Sequence, residues 1–148
     1  MMNEKYMNAA LAEARAAAEL GDVPVGAVVV KDGEIIAAAH NEREISGRAT
    51  AHAEILAIER ASEVFGRWRL SDCELYVTLE PCPMCAGAIL NARVGKVCFA
   101  LKDANAGALG SVINLNSYPL LHKVSAEVGL CEAESRELLS DFFKKRRK

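Results

Sequence analysis

Two short fragments of the sequence carry side chains that suit metal chemistry. One reads His-Ala-Glu at residues 52–54 and the other Pro-Cys-Pro-Met-Cys at residues 81–85, each where an irregular segment gives way to a helical pattern. Cys82 and Cys85 are three residues apart, so both sulfurs lie on one face of a first helical turn. The positive end of the helix dipole favours their thiolates, and Pro81 suits the first helical position because no N–H is needed there.

The pair of cysteines allows several interpretations. A Cys-x-x-Cys motif occurs in redox sites of the thioredoxin type and in halves of structural zinc sites, but no second Cys-x-x-Cys is present. With His52 as a third ligand, one coordination position stays open for water, as in a catalytic zinc site. His40 and His122 compete for this role, although neither has a carboxylate two residues later. The other cysteines stand singly in the sequence: Cys73, Cys98 and Cys131.

Glu54 supplies a carboxylate two residues after the candidate ligand His52. A carboxylate that does not bind the metal can take a proton from water and deliver it to a substrate, as general base and then as general acid. The simpler interpretation is an acidic residue in a first helical turn, where it interacts favourably with the helix dipole. The pattern therefore makes Glu54 a candidate catalytic residue.

These side chains must be positioned by one α/β domain over residues 1–148, because 148 residues match the usual size of a single domain. An Asp-Gly turn after a β-branched run predicts an antiparallel hairpin, and a helix between two later strands predicts a parallel pair. We predict a three-layer α/β/α sandwich with a mixed five-stranded sheet. Helices are predicted at 4–20, 51–65, 81–92 and 132–146, strands at 25–30, 34–39, 73–79, 96–101 and 123–128, and loops at 40–50 and 103–116.

Charges are distributed unevenly along the chain. The sequence has 18 Lys and Arg against 20 Asp and Glu, a net charge of −2. Five of these bases occupy 144–148, so residues 1–143 carry −7 and the tail carries +5. This asymmetry indicates an anionic partner, unless the tail is only a frayed end.

The sequence also bears on where the protein works. No run approaches the ~18 consecutive apolar residues of a membrane helix. The N-terminal region has neither the apolar segment nor the cleavage site of a secretory signal. The five cysteines are an odd number and include a Cys-x-x-Cys, which in a reducing compartment indicates metal or redox chemistry rather than a disulfide framework. We therefore predict a cytoplasmic protein without a membrane partner.

The order His-x-Glu followed by Pro-Cys-x-x-Cys resembles the signature of the zinc-dependent nucleoside and nucleobase deaminases. Within that family, the chain resembles the bacterial tRNA-specific adenosine deaminases, which form inosine at the wobble position of the anticodon. The likeness extends over nearly the whole chain. It includes Val-Pro-Val-Gly-Ala-Val at 23–28, Thr-Ala-His-Ala-Glu at 50–54 and Leu-Tyr-Val-Thr-Leu-Glu-Pro-Cys at 75–82.

The resemblance implies a cytidine deaminase-like fold and one Zn²⁺ per chain, held by His52, Cys82 and Cys85. Water on the zinc would attack carbon 6 of adenine, and Glu54 would protonate ring nitrogen 1 and then the leaving amino group. The implied partners are the anticodon arm of a tRNA and a second copy of the chain in a homodimer.

The resemblance also implies contacts to the substrate. An asparagine at the position of Asn41 hydrogen-bonds the purine in related enzymes, and Asp103 resembles a residue near the sugar of the flipped nucleotide. The chain departs from the family pattern at Arg48, Asn105 and Leu121, and Arg48 or Lys102 could replace the missing contacts to the RNA backbone. The predicted RNA contacts at the basic end of the chain are Lys144, Lys145, Arg146 and Arg147.

Two other functions stay open at this point. A guanine or cytosine deaminase would use the same metal site on a free base and would not need a basic tail. A non-catalytic, zinc-stabilised RNA-binding module would close the fourth coordination position with a protein ligand and would not need Glu54. Deaminase activity on tRNA and on free bases distinguishes the three functions.

Overall fold

The computed structural model describes residues 2–146. The helices are α1 (Glu4–Glu19), α2 (Arg43–Ser46), α3 (Ala53–Phe65), α4 (Pro83–Asn91) and α5 (Glu132–Arg146). The strands are β1 (Gly26–Lys31), β2 (Glu34–His40), β3 (Glu74–Val77), β4 (Lys96–Phe99) and β5 (Ser125–Val128). Within the described residues, no helix combines the length and the apolar character that crossing a bilayer requires.

The strands form one mixed sheet in the order β2-β1-β3-β4-β5. β1 pairs antiparallel with both β2 and β3, whereas β3 with β4 and β4 with β5 are parallel. The turn between β1 and β2 has a positive φ at Asp32 (51°) and at Gly33 (78°), as a type I′ hairpin requires. The predicted hairpin, the parallel pair around α4 and the edge strand β5 are confirmed.

Side chains alternate between the two faces of the sheet and create three layers. Val28 packs with Met7 of α1 on one face, where α5 lies beside α1. Val29 belongs to the larger apolar cluster that α3 and α4 form on the other face. Gly26 lets α1 approach β1, since a Cβ there would lie 2.0 Å from the carbonyl oxygen of Ala10. The predicted α/β/α sandwich is therefore confirmed.

Two helices begin later than the sequence pattern predicts. α3 begins at Ala53 with His52 as its N-cap, and α4 begins at Pro83 with Cys82 as its N-cap. The prediction that Pro81 starts the helix is wrong, because Pro83 takes the first turn, where a missing N–H is not needed. The shift places two of the predicted metal ligands at helix caps.

A one-turn helix, α2, lies inside the segment 40–50 that the sequence pattern predicts as a loop. The carboxylate of Asp22 accepts hydrogen bonds from the backbone N–H groups of Glu44 (2.9 Å) and Ile45 (3.2 Å). These N–H groups would otherwise lack partners at the start of the helix. Because Asp22 lies far upstream in the chain, no local pattern reveals this cap.

Candidate active site

The candidate metal ligands lie at the N-termini of the two helices that pack side by side on one face of the sheet. His52 caps α3, Cys82 caps α4, and Cys85 is buried in the first turn of α4. Both helices are anchored by apolar residues in the main core. The three side chains therefore extend from rigid elements rather than from a free loop.

The distances among these side chains fit a tetrahedral metal site. Nδ1 of His52 lies 3.6 Å from Sγ of Cys82 and 3.4 Å from Sγ of Cys85. Tetrahedral zinc with ordinary Zn–N and Zn–S bond lengths would separate a nitrogen and a sulfur ligand by about 3.5 Å. Among residues 2–146, this is the one group of three His, Cys, Asp or Glu side chains whose ligand atoms come close enough to share an ion. Three ligands leave a fourth position open.

The competing histidines are occupied elsewhere. Nδ1 of His40 lies 2.9 Å from the carbonyl oxygen of Asn41, and Nε2 of His122 lies 3.1 Å from that of Val94. Neither belongs to the group around Cys82. The other three cysteines are free thiols away from the site: Cys73, Cys98 and Cys131.

The two cysteines of the motif have pKa values that are shifted in opposite directions. Hydrogen bonding from Cys85, and then from His52, lowers the pKa of Cys82 to about 4. The pKa of Cys85 is raised far above its ordinary value, because its thiol donates to Cys82 and because it is buried. The hydrogen bond to Cys82 also raises the pKa of His52. Metal binding therefore displaces at least the proton on Cys85, which makes metal affinity increase with pH.

Glu54 lies in the first turn of α3, with only 4% of its surface exposed. Burial raises its pKa to about 7, although the charge on His52 and a hydrogen bond with Cys85 act in the opposite direction. Glu54 is not among the three clustered ligands. It is a carboxylate beside the candidate metal site, free to exchange a proton rather than to coordinate.

His52, Glu54 and Cys82 line one cavity of about 170 Å³. Asn41 borders the same cavity, and its Oδ1 accepts a hydrogen bond from the backbone N–H of Ala53 at 2.8 Å. This bond fixes the orientation of the side-chain amide. The NH₂ group has no hydrogen-bond partner among the described residues. Asn41 therefore both caps the start of α3 and offers a donor to a ligand.

Asp103 also lines this cavity, from the loop that follows β4. Its Oδ1 accepts hydrogen bonds from the backbone N–H groups of Asn105 (2.9 Å) and Ala106 (3.2 Å). One carboxylate oxygen thus shapes the loop, while the other has no partner among residues 2–146.

Two further residues line the cavity that the sequence analysis did not single out. Glu80 is 2% exposed, immediately before the Pro-Cys motif, and accepts several hydrogen bonds. Arg43 extends from α2 and forms no ion pair among the described residues. A local signal could have identified Glu80, because it stands just before the Pro-Cys motif in the sequence. The arginine had none, because the sequence pattern predicts no helix there.

The basic end of the chain contacts the segment between α1 and β1. Nη1 of Arg146 donates a hydrogen bond to the carbonyl oxygen of Gly21 at 3.3 Å. Gly21 is close in sequence to Val23, which lines the cavity. Lys144 and Lys145 are exposed on the last turn of α5, whereas the predicted contact Arg147 lies outside the described residues.

The zinc-dependent deaminases share one arrangement of the active site. They have a His-Cys-Cys group and a glutamate that does not bind the metal, as this chain has at the N-termini of two helices over a mixed sheet. The sequence profile of the MafB19-like deaminases matches residues 1–147, and the chain belongs to this family.

Individual relatives agree with this assignment. The chain is 48% identical to the tRNA-specific adenosine deaminase of Bacillus subtilis, over 99% of this chain and 91% of the relative. It superposes with a TM-score of 0.90 on a structure from studies of A-to-I editing by tRNA:A34 deaminases at the wobble position of transfer RNA. That match has 43% identity and covers 93% of this chain and 100% of the other.

A guanine deaminase from Bacillus subtilis is more distant, with a TM-score of 0.66 and 33% identity, covering 100% of this chain and 96% of that one. The resemblance identified from the motifs is confirmed, and so is the cytidine deaminase-like fold.

Proposed function

We propose that this protein is a hydrolase that converts adenosine to inosine at the wobble position of a tRNA anticodon. The observation that carries the proposal is that the ligand group of His52, Cys82 and Cys85 lies at a cavity whose lining includes Glu54. The chain that builds this cavity is 48% identical to a tRNA-specific adenosine deaminase over nearly its full length. A deaminase of free bases would use the same cavity for the same chemistry. The assignment of tRNA as the substrate therefore rests on the similarity to the relatives and on the surface around the cavity.

One zinc ion per chain is proposed on Nδ1 of His52 and the sulfurs of Cys82 and Cys85. The nitrogen-to-sulfur distances of 3.4 and 3.6 Å match the spacing of a tetrahedral site. When bound, a zinc ion with an open position lowers the pKa of water toward about 7 and so supplies a nucleophile at neutral pH.

Glu54 moves protons in this proposal. Its carboxylate lies in the cavity beside the candidate ligands but does not belong to them, so it can accept a proton from the nucleophile. The same group then delivers this proton to ring nitrogen 1 of the purine. A second proton, from the hydroxyl added at carbon 6, passes through the carboxylate to the amino group, which departs as ammonia. The near-complete burial of Glu54 excludes bulk water from these transfers.

Asn41 and Asp103 bind the substrate in this proposal, from two different loops that line the cavity. The NH₂ group of Asn41 is left free by the bond between its Oδ1 and Ala53, so it suits an acceptor on the purine ring. The second carboxylate oxygen of Asp103 suits a hydroxyl of the ribose. Arg43, an exposed cation at this cavity, suits a phosphate of the flanking RNA backbone.

The end of α5 is the proposed RNA-contacting surface. Lys144, Lys145 and Arg146 are basic residues in its last turn, and Arg146 connects this turn to Gly21, two residues before Val23 of the cavity lining. The described body of the chain is acidic, so a phosphate backbone needs such a local concentration of positive charge. Arg147 continues this charge in the sequence.

A homodimer is proposed through the outer face of α3 and α4. Two adjoining grooves of about 460 and 640 Å³ share Ile55 and Ala88, and they are bordered by exposed apolar side chains. Trp68 is 60% exposed and Leu121 is 97% exposed there. Exposed apolar side chains that lie together beside polar residues mark interaction sites. Because Met84, between the two cysteine ligands, also lines one groove, the second subunit would lie next to the active site.

We also propose a cytoplasmic location and one functional domain over residues 1–148. All five cysteines are free thiols, as in a reducing compartment, and the described helices pack on a single sheet.

The test compares substrates directly. The zinc-loaded protein is incubated with total bacterial tRNA and, separately, with guanine, cytosine and adenosine, and products are analysed by chromatography. The proposal expects inosine in tRNA and no conversion of the free bases. Conversion of guanine with unmodified tRNA would assign the free-base function, and binding of tRNA without any product would assign the RNA-binding module.

A further inference from the structure

Glu80 is a buried carboxylate that the proton transfers do not use. It follows β3, precedes the Pro-Cys motif and is only 2% exposed. It borders the cavity of the metal site and also a second cavity of about 590 Å³ at the ends of β4 and β5. A charged side chain is costly to bury unless several donors satisfy it.

The donors all come from one loop, residues 103–111. Oε1 accepts hydrogen bonds from the backbone N–H of Asp103 at 3.1 Å and from the hydroxyl of Ser111. Oε2 accepts from the backbone N–H groups of Leu109 at 3.0 Å and Ser111 at 3.1 Å. The loop thus closes around the carboxylate from both of its ends.

Gly107 shows how tightly the loop encloses this group. A Cβ at Gly107 would lie 2.4 Å from Cδ and from Oε2 of Glu80, and 2.6 Å from the carbonyl oxygen of Asp103. The N–H of Gly107 donates to that same carbonyl oxygen at 2.9 Å. Only a residue without a side chain fits between the carboxylate and the start of the loop.

The same segment of chain carries a metal ligand. The N–H of Glu80 donates to the carbonyl oxygen of Leu101 at 2.8 Å, and the carbonyl oxygen of Pro81 accepts from Ala108 at 2.9 Å. Cys82 follows directly. The loop that carries Asp103 is therefore fastened to the peptide that positions the metal site.

We infer that Glu80 is a positioning residue that holds loop 103–111 against the cavity and places Asp103 beside the bound nucleoside. The inference rests on the proposed function in naming a nucleoside as the ligand. Glu80 holds the loop whatever the substrate is, because this role follows from the four hydrogen bonds and the contact at Gly107.

Glu80→Gln is the most direct variant, since it keeps the shape of the side chain and replaces one acceptor oxygen by an NH₂ donor. Whichever way the amide turns, that NH₂ faces N–H or O–H donors of the loop. Loss of a hydrogen bond to a charged group corresponds to about 10- to 100-fold in an equilibrium. We expect amide hydrogen exchange at Asp103, Leu109 and Ser111 to accelerate by about this factor.

Activity should respond in a specific way. A loop that binds the substrate equally in the ground state and the transition state affects KM and leaves kcat nearly unchanged. We expect Glu80→Gln to raise KM for a tRNA anticodon stem-loop by about tenfold or more, with the zinc content unaltered. Glu127→Gln is the matched control, because Glu127 borders the neighbouring cavity but pairs with Lys96 and not with the loop.

Gly107→Ala tests the same contact without removing the carboxylate, and it replaces Glu80→Gln if that variant does not fold. Faster exchange of the loop amides with a raised KM and a normal kcat supports the inference. Wild-type exchange and wild-type KM in the Glu80 variant overturn it, as does loss of zinc with a lower kcat. If the wild-type protein does not deaminate tRNA, the proposed function fails, and the exchange measurement still decides whether Glu80 holds the loop.

Discussion

Asn41 provides a test in which stability and activity respond to different atoms of one side chain. Its Oδ1 accepts the N–H of Ala53 at 2.8 Å, in a position that is 9% exposed, whereas its NH₂ group borders the cavity. Asn41→Asp keeps the acceptor and removes the donor. Asn41→Ala removes both, so the two variants should separate the two functions of the residue.

The magnitudes follow from these contacts. Asn41→Ala leaves the buried N–H of Ala53 without its partner, which costs about 1.5 kcal/mol and lowers Tm by about 5 °C for a chain of this length. Asn41→Asp retains the cap, and its negative charge is favourable at a helix N-terminus, so Tm should change by less than about 2 °C. Both variants lose the donor to the purine, so kcat/KM should fall by about 10- to 100-fold in each.

The assay combines thermal unfolding of the zinc-loaded protein with inosine formation in an anticodon stem-loop. The reasoning is refuted if Asn41→Asp keeps kcat/KM within about threefold of wild type, because the NH₂ group would then not bind the substrate. It is also refuted if the Asp variant loses as much Tm as the Ala variant, since the retained acceptor would then not stabilise α3.

Three further predictions concern the metal, the RNA and the assembly. Cys82→Ser should lose zinc by elemental analysis whereas Cys73→Ser keeps it, because Cys82 belongs to the three-ligand group and Cys73 does not; zinc retained by Cys82→Ser and lost by Cys73→Ser would contradict the ligand assignment. Deleting 144–148 should weaken tRNA binding and flatten its salt dependence by about 0.7 in log–log slope per lost phosphate contact, with zinc unchanged; an unaltered slope would make the tail a frayed end. Leu121→Asp should convert the proposed dimer to a monomer by light scattering, whereas Val64→Asp should not, because Val64 is exposed on α3 outside the grooves; a monomeric wild-type protein would exclude the interface.

The parts of the fold that local signals control were predictable. α1, the β1-β2 hairpin and α5 follow from apolar periodicity and from the Asp-Gly turn. The helix α2 was not, because its cap is the carboxylate of Asp22, which is distant in the sequence. The start of α4 was misplaced because two prolines flank Cys82 and both suit a first turn.

The candidate site divides in the same way. The residues on helix N-termini could be predicted, since residue type and spacing alone bring two cysteines to one face and add a histidine and a glutamate. Asn41 and Asp103 entered through resemblance to a family, because a polar residue in a loop carries no spacing signal. Glu80 was missed because its partners lie in residues 103–111, and only the folded chain brings that loop to the carboxylate.

In the proposed function, this cavity deaminates a tRNA adenosine by means of zinc and the proton transfers of Glu54. The most direct measurement compares wild type with Glu54→Gln, both analysed for zinc, on an anticodon stem-loop with adenosine at the wobble position. We expect one zinc per chain in both proteins, inosine at that position with wild type, and a rate lower by about 10²- to 10⁴-fold with the variant. A Glu54→Gln protein that forms inosine at the wild-type rate while holding its zinc would contradict this mechanism.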